Sequence, residues 1–232
     1  MPASPTLNNS FDAPPVFNRP STKAMIVAVF TALSLATNYA LIGFQNVKLM
    51  DTLVFIVAFL FGVRLGIGVA VSTWLVYGLV NPNGVDGPII LSFLILGECF
   101  YALSGAILSR TSVGQELSRM KSTDDSSRIT GRTSVFRKLG RRIRKLNPTR
   151  SLVFALVGLQ ATFGYDLLTN FASWLFLTTS LYQAFIIGNL VGAPFSIAHE
   201  GSNVIFFATV APAVIVATGR MGIGFHARGR HK

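Results

Sequence analysis

Between Ala24 and Phe44 the chain runs for twenty-one residues without a charge. At 1.5 Å per residue, a helix of that length crosses a hydrocarbon layer of roughly 30 Å. Alanine recurs within it at Ala24, Ala28, Ala32, Ala36 and Ala40. A four-residue step drifts slowly around a helix, so these side chains form one smooth stripe. Lipid would accept leucine there, whereas a row of small side chains points to a second helix approaching closely. That helix is either a neighbour in the same bundle or part of a separate membrane subunit; the stripe alone does not choose between them.

The apolar pattern continues from Asp51 to Val80, too far for one crossing, and it would put Arg64 in mid-span. The stretch divides at FGVRLG into spans over about Met50–Phe61 and Leu65–Val80, which places Arg64 at an inner turn. Gly62, Gly66 and Ala70 keep a small-xxx-small step that favours tight packing. NPNGVDGP, residues 81–88, reads as a turn that leaves Asp86 solvated. Ile89–Leu108 is a fourth span with Glu98 near its centre and Gly97, Tyr101 and Gly105 along one side. A fifth runs over Ser151–Leu168 and a sixth over about Ser202–Thr218. Between them lies an uncharged run, Leu167–Ala198. Its part from Phe171 to Pro194 is expected as an outer-surface or partly re-entrant helix; a seventh span is the alternative. The expected fold is all-α, a polytopic membrane bundle of about six transmembrane helices within residues 23–220.

Composition agrees: 51% hydrophobic residues, 12% charged and a mean hydropathy of +0.55. The net charge of +11 changes the picture only through its location. Twelve of the twenty Lys and Arg lie between Arg110 and Arg150, so the charge marks topology rather than a nucleic-acid surface. With six spans, the 109–150 loop, Arg64 and both termini fall on the cytoplasmic side, and Lys48 alone among Lys and Arg falls outside. Residues 1–22 read as a disordered cytoplasmic leader and 221–232 as a basic tail. GQELSRMKSTDDSSRITGR (114–132) is expected to be flexible, and RKLGRRIRKL (137–146) as an amphipathic helix on anionic lipid. The single Cys99 excludes an intrachain disulfide. There is no phosphate-binding loop, no zinc-hydrolase spacing and no cofactor motif. The chain is therefore not expected to be an enzyme.

Polar chemistry gathers at the outer helix ends. Asp166 and Asn170 are four residues apart where span five leaves the membrane, and His199 and Asn203 are four apart where span six begins. Asn46, Lys48 and Asp51 flank the first outer loop, and Trp174 is placed to stack on a flat ligand. Glu98 lies deeper, as a structural hydrogen-bonding group or a ligand contact. Asp166 and His199 carry the same two readings, capping and bracing on one side and substrate contact on the other.

Four pieces together resemble the substrate-binding (S) components of energy-coupling factor transporters: the alanine stripe, residues 46–84, YDLLTNFASW (165–174) and APFSIAHEGSNVIFFATVAP (193–212). The resemblance covers roughly Ala24 to Arg220. It implies a six-helix cell-membrane protein that captures a vitamin or similar micronutrient from outside. It further implies a transmembrane coupling (T) subunit and two cytoplasmic ATPases as partners. By this resemblance Ala24, Ala28, Ala32 and Ala36 would meet the coupling subunit, and Asn46, Lys48, Asp51, Asp166, Asn170, His199 and Asn203 would bound the pocket. A stand-alone secondary transporter, an integral membrane enzyme acting on lipid and a ligand-free scaffold are the other classes.

Overall fold

The structure, a computed structural model, describes residues 19–82, 84–118 and 148–220. Seven helices occupy them: α1 (Pro20–Ala40), α2 (Met50–Phe61), α3 (Val63–Leu79), α4 (Pro88–Leu108), α5 (Ser112–Ser118), α6 (Pro148–Trp174) and α7 (Leu181–Arg220). Helices α1, α4, α6 and α7 are long and apolar enough to cross a membrane, and α2 and α3 are shorter apolar helices. The protein is an all-helical membrane bundle.

The bundle is organised around α2. From Met50 to Leu60 no side chain is more than 5% exposed, because α1, α3, α4 and α7 all pack on it. At 12 residues it is about 18 Å long, so it never has to meet lipid along its length. The break after Phe61 falls at Gly62, whose φ of 98° favours glycine. Arg64 sits exposed in the first turn of α3. On α4, Gly105 lies so close to α2 that a Cβ there would overlap the Phe55 carbonyl. Without a hydrophobic force between helices in lipid, contacts of this kind hold the bundle together.

The alanine stripe settles as an outer face. Ala24, Ala28, Ala32, Ala36 and Ala40 are all exposed, whereas Ile26, Thr31, Ser34 and Asn38 face the bundle. Packing of the stripe inside this chain's own bundle is thereby overturned.

Two boundaries also differ from expectation. Helix α6 starts at Pro148 and runs on to Trp174, and the chain reverses once, over 175–180, before the 40 residues of α7. Residues 181–194 are therefore the first part of the helix expected to start near Ser202, with no separate element and no further reversal. They do pack over the bundle: Phe185 meets Phe171, while Gly188, Gly192 and Ser196 all meet Asn170. Beyond that point the partners step back along α6, Asp166 to His199, Thr162 to Asn203 and Gly158 to Phe207. So α7 first crosses α6 and then runs antiparallel to it, with Pro194 where the path changes. Gly188 and Gly192 serve as the crossing surface.

The stretch expected to be flexible after span four begins instead with α5. Its Leu117 is fully buried, and Glu116 pairs with Arg150 at the start of α6. The basic segment 137–146, the 1–18 part of the leader and the 221–232 tail lie outside the described residues.

Candidate ligand-binding site

The helix order brings four ionisable or amide side chains from distant sequence positions to one depth. Asp51 comes from the first turn of α2, Asp166 from α6, and His199 and Asn203 from one face of α7. His199 sits between two carboxylates, with Nε2 2.7 Å from Asp51 Oδ2 and Nδ1 2.9 Å from Asp166 Oδ1. Asn203 Nδ2 donates to the same Asp51 oxygen at 2.8 Å and to Thr162 Oγ1 at 2.9 Å. Tyr101 on α4 donates its hydroxyl to Thr162 at 3.1 Å. Nearby, Trp74 Nε1 donates to Glu98 Oε2 at 3.1 Å. Glu98, His199 and Asn203 are fully buried and Asp51 is 1% exposed.

Proton counting limits what this network can do. Each His199 contact needs a hydrogen between nitrogen and oxygen, and a neutral imidazole carries one. The Asp51–His199–Asp166 trio therefore holds a second proton, on the ring or on a carboxyl. Both ring nitrogens are committed, so neither is free to act as a general base or to bind a metal. Among the described residues no group of three His, Cys, Asp or Glu is arranged to hold a metal ion. The network braces α2, α6 and α7 against one another.

Above it opens a cavity of about 550 Å³. The 41–48 loop, Trp74 and Tyr77 of α3, Asp86, and Tyr165, Asp166, Thr169 and Asn170 of α6 line it. The loop is pinned where the Asn46 amide donates to the Phe195 carbonyl at 3.0 Å, with Asn46 itself at φ 59°, a conformation asparagine tolerates better than most residues. The Lys48 ammonium lies 5.0 Å from the centre of the Trp74 ring and 5.9 Å from that of Tyr165. Those two rings are near parallel, 23° apart in plane. No family model, curated protein or solved structure matches the chain. The site must therefore speak through its own geometry.

That geometry divides the expected residues into three groups. Asn46, Lys48, Asp166 and Asn170 line the cavity. Asp51, Glu98, His199 and Asn203 lie beneath it as the buried network. Trp174 does neither; its ring packs beside Gly188 at the α6–α7 crossing. The tryptophan that lines the cavity is Trp74, beside Tyr77 on one face of α3.

Asp86 is a further correction. It is half-buried, lines the cavity, and its backbone N–H donates to the Gly78 carbonyl at 2.9 Å. Asn81 hydrogen-bonds its carboxylate, and burial raises that carboxyl above its ordinary value of 3.8 against the opposing pull of Asn81 and Lys48. It is not a solvated turn residue. Asn38, near the end of α1, is 4% exposed and also lines the cavity.

Proposed function

We propose that the protein is a membrane-embedded binding subunit that captures a small molecule in this cavity for an ATP-driven importer of the energy-coupling factor type. The observation that carries the reading is a polar, aromatic cavity whose floor is closed by fully buried side chains. A site open at one end and sealed below holds a ligand but offers no path through. Translocation then requires movement driven from elsewhere, and the chain carries no nucleotide-binding motif of its own.

The exposed alanine stripe supports the second half of the reading. It provides a smooth helix face for close van der Waals contact with a coupling subunit, without buried charges to desolvate. Among the described residues, Lys48 is the one lysine or arginine near the cavity; Arg19, Lys23, Arg64, Arg110 and Arg150 lie at helix ends on the other side. Under the positive-inside rule this distribution supports a reading with the cavity outside and the termini and the 109–150 loop on the cytoplasmic side of the cell membrane. The committed nitrogens of His199 weigh against a hydrolytic enzyme.

Co-expression with a coupling subunit and its two ATPases, followed by affinity purification, tests the proposal. Wild type should co-purify with all three. Ala28→Leu together with Ala32→Leu should abolish association while leaving the isolated subunit folded, since leucine suits lipid and clashes only at a close helix contact. Undiminished co-purification of the double variant would remove the docking role of the stripe.

A further inference from the structure

The cavity and its floor carry an imbalance between hydrogen-bond acceptors and donors. Asp166, 5% exposed, lines the cavity, and its Oδ2 has no partner. Asp86 lines it from the other side, and its Oδ2 is buried and also without a partner. Directly below, Glu98 Oε1 and Asp51 Oδ1 are buried and unpartnered. A carboxylate is an acceptor only, so this count does not depend on how an amide or ring is oriented. On the donor side the corresponding lining group is the Tyr165 hydroxyl, 3% exposed and without a partner. Unpaired acceptors buried in low dielectric are costly, and a ligand that donates to them gains what the empty site lacks.

Charge and aromatic geometry point the same way. Two carboxylates line the cavity against one ammonium, that of Lys48, and this ammonium rests over the Trp74 and Tyr165 faces. Aromatic faces attract cations through their quadrupole. The chain thus already places a cation of its own where a ligand cation would be favoured. An anionic ligand paired with Lys48 would have to sit among Asp86 and Asp166.

We propose that the cavity takes a planar organic cation rich in N–H donors, which displaces Lys48 from the aromatic faces and donates to Asp86 and Asp166. This rests on the capture reading given above and names its ligand class. Benzamidine and benzoate form a probe pair of similar size and shape and opposite charge. Each is titrated by calorimetry into the purified full chain in detergent. Benzamidine should bind and benzoate should not. Asp86→Asn should weaken benzamidine about 10- to 100-fold through loss of a charge-assisted hydrogen bond. Lys48→Met should tighten it about 2- to 5-fold by removing the competing ammonium. Asp86 sits at the cavity rim, so its variant keeps the test open even if Asp166→Asn fails to fold. Benzamidine affinity unchanged by Asp86→Asn overturns the assignment. Benzoate binding that is lost in Lys48→Met overturns the cationic class and leaves capture standing. Binding of neither probe overturns the class and counts against capture as well.

Discussion

Deleting the His199 side chain tests whether the buried network is a brace. His199→Ala removes both nitrogens from contacts of 2.7 and 2.9 Å and leaves Asp51 and Asp166, 1% and 5% exposed, without their common donor. If only two hydrogen bonds were at stake, values typical inside membranes, ~0.6 and at most about 1.7 kcal/mol each, would sum to about 1–3 kcal/mol. Removing one member of a buried ion pair costs about 3–5 kcal/mol, because the charge left behind has lost its compensation. The larger range governs here, since the Asp166 Oδ2 atom already lacks a partner. His199→Asn is the graded comparison. Its amide nitrogen reaches roughly the Nδ1 position, so it keeps the Asp166 contact and loses the Asp51 contact, and it should cost about half as much. Both variants lose the edge-on packing of the ring against Tyr165, so that loss cancels between them. Reversible unfolding in mixed micelles, followed by tryptophan fluorescence, gives the free energies. A penalty for His199→Ala below about 1 kcal/mol, or equal penalties for the two variants, would refute the brace.

Gly105→Ala inserts a methyl group against the Phe55 carbonyl and should cost about 1–3 kcal/mol. Gly43→Ala, with nothing near its Cβ, should be close to neutral, and equal melting temperatures would deny the close α2–α4 contact. Asp86→Asn should alter the pH dependence of stability. Burial raises the Asp86 carboxyl, so its ionised form opposes folding; wild type should lose stability, relative to the variant, as pH rises from 3.8 through the raised value. A stability difference independent of pH would contradict that. For orientation, a cysteine at Gln45 in a Cys99→Ser background should react with an impermeant reagent on intact cells and one at Arg64 should not; the reverse pattern inverts the topology.

The sequence reported helices well and their company poorly. Uncharged length marked α1 and α4, and the Gly62 break separated α2 from α3, because lipid demands long apolar runs and glycine ends them. The same logic failed at 171–198. Inside a membrane bundle, proline and glycine occur within helices whose neighbours satisfy the backbone, so Pro194 did not end α7 and Gly188 marked a crossing. At the site, four-residue spacing paired Asp166 with Asn170 and His199 with Asn203. Spacing gives a shared face but not a depth. His199 and Asn203, paired with Asp166 and Thr162, lie one and two turns further into the bundle than Asn170, among groups that bond to one another rather than to a ligand. An acid in a Gly-Pro turn is ordinary, so Asp86 reads as solvated. A stacking role for Trp74 could not be told from that of any other aromatic in a span until the fold placed both residues in the cavity lining.

The central claim is capture without autonomous transport, and reconstitution tests it most directly. A labelled small molecule shown by titration to bind the purified protein is offered to vesicles containing this chain alone, or this chain with a coupling subunit and ATPases loaded with ATP. The account predicts stoichiometric binding without accumulation for the chain alone, and accumulation when the complete assembly hydrolyses ATP. Accumulation by the chain alone, driven by a proton or cation gradient, would contradict it.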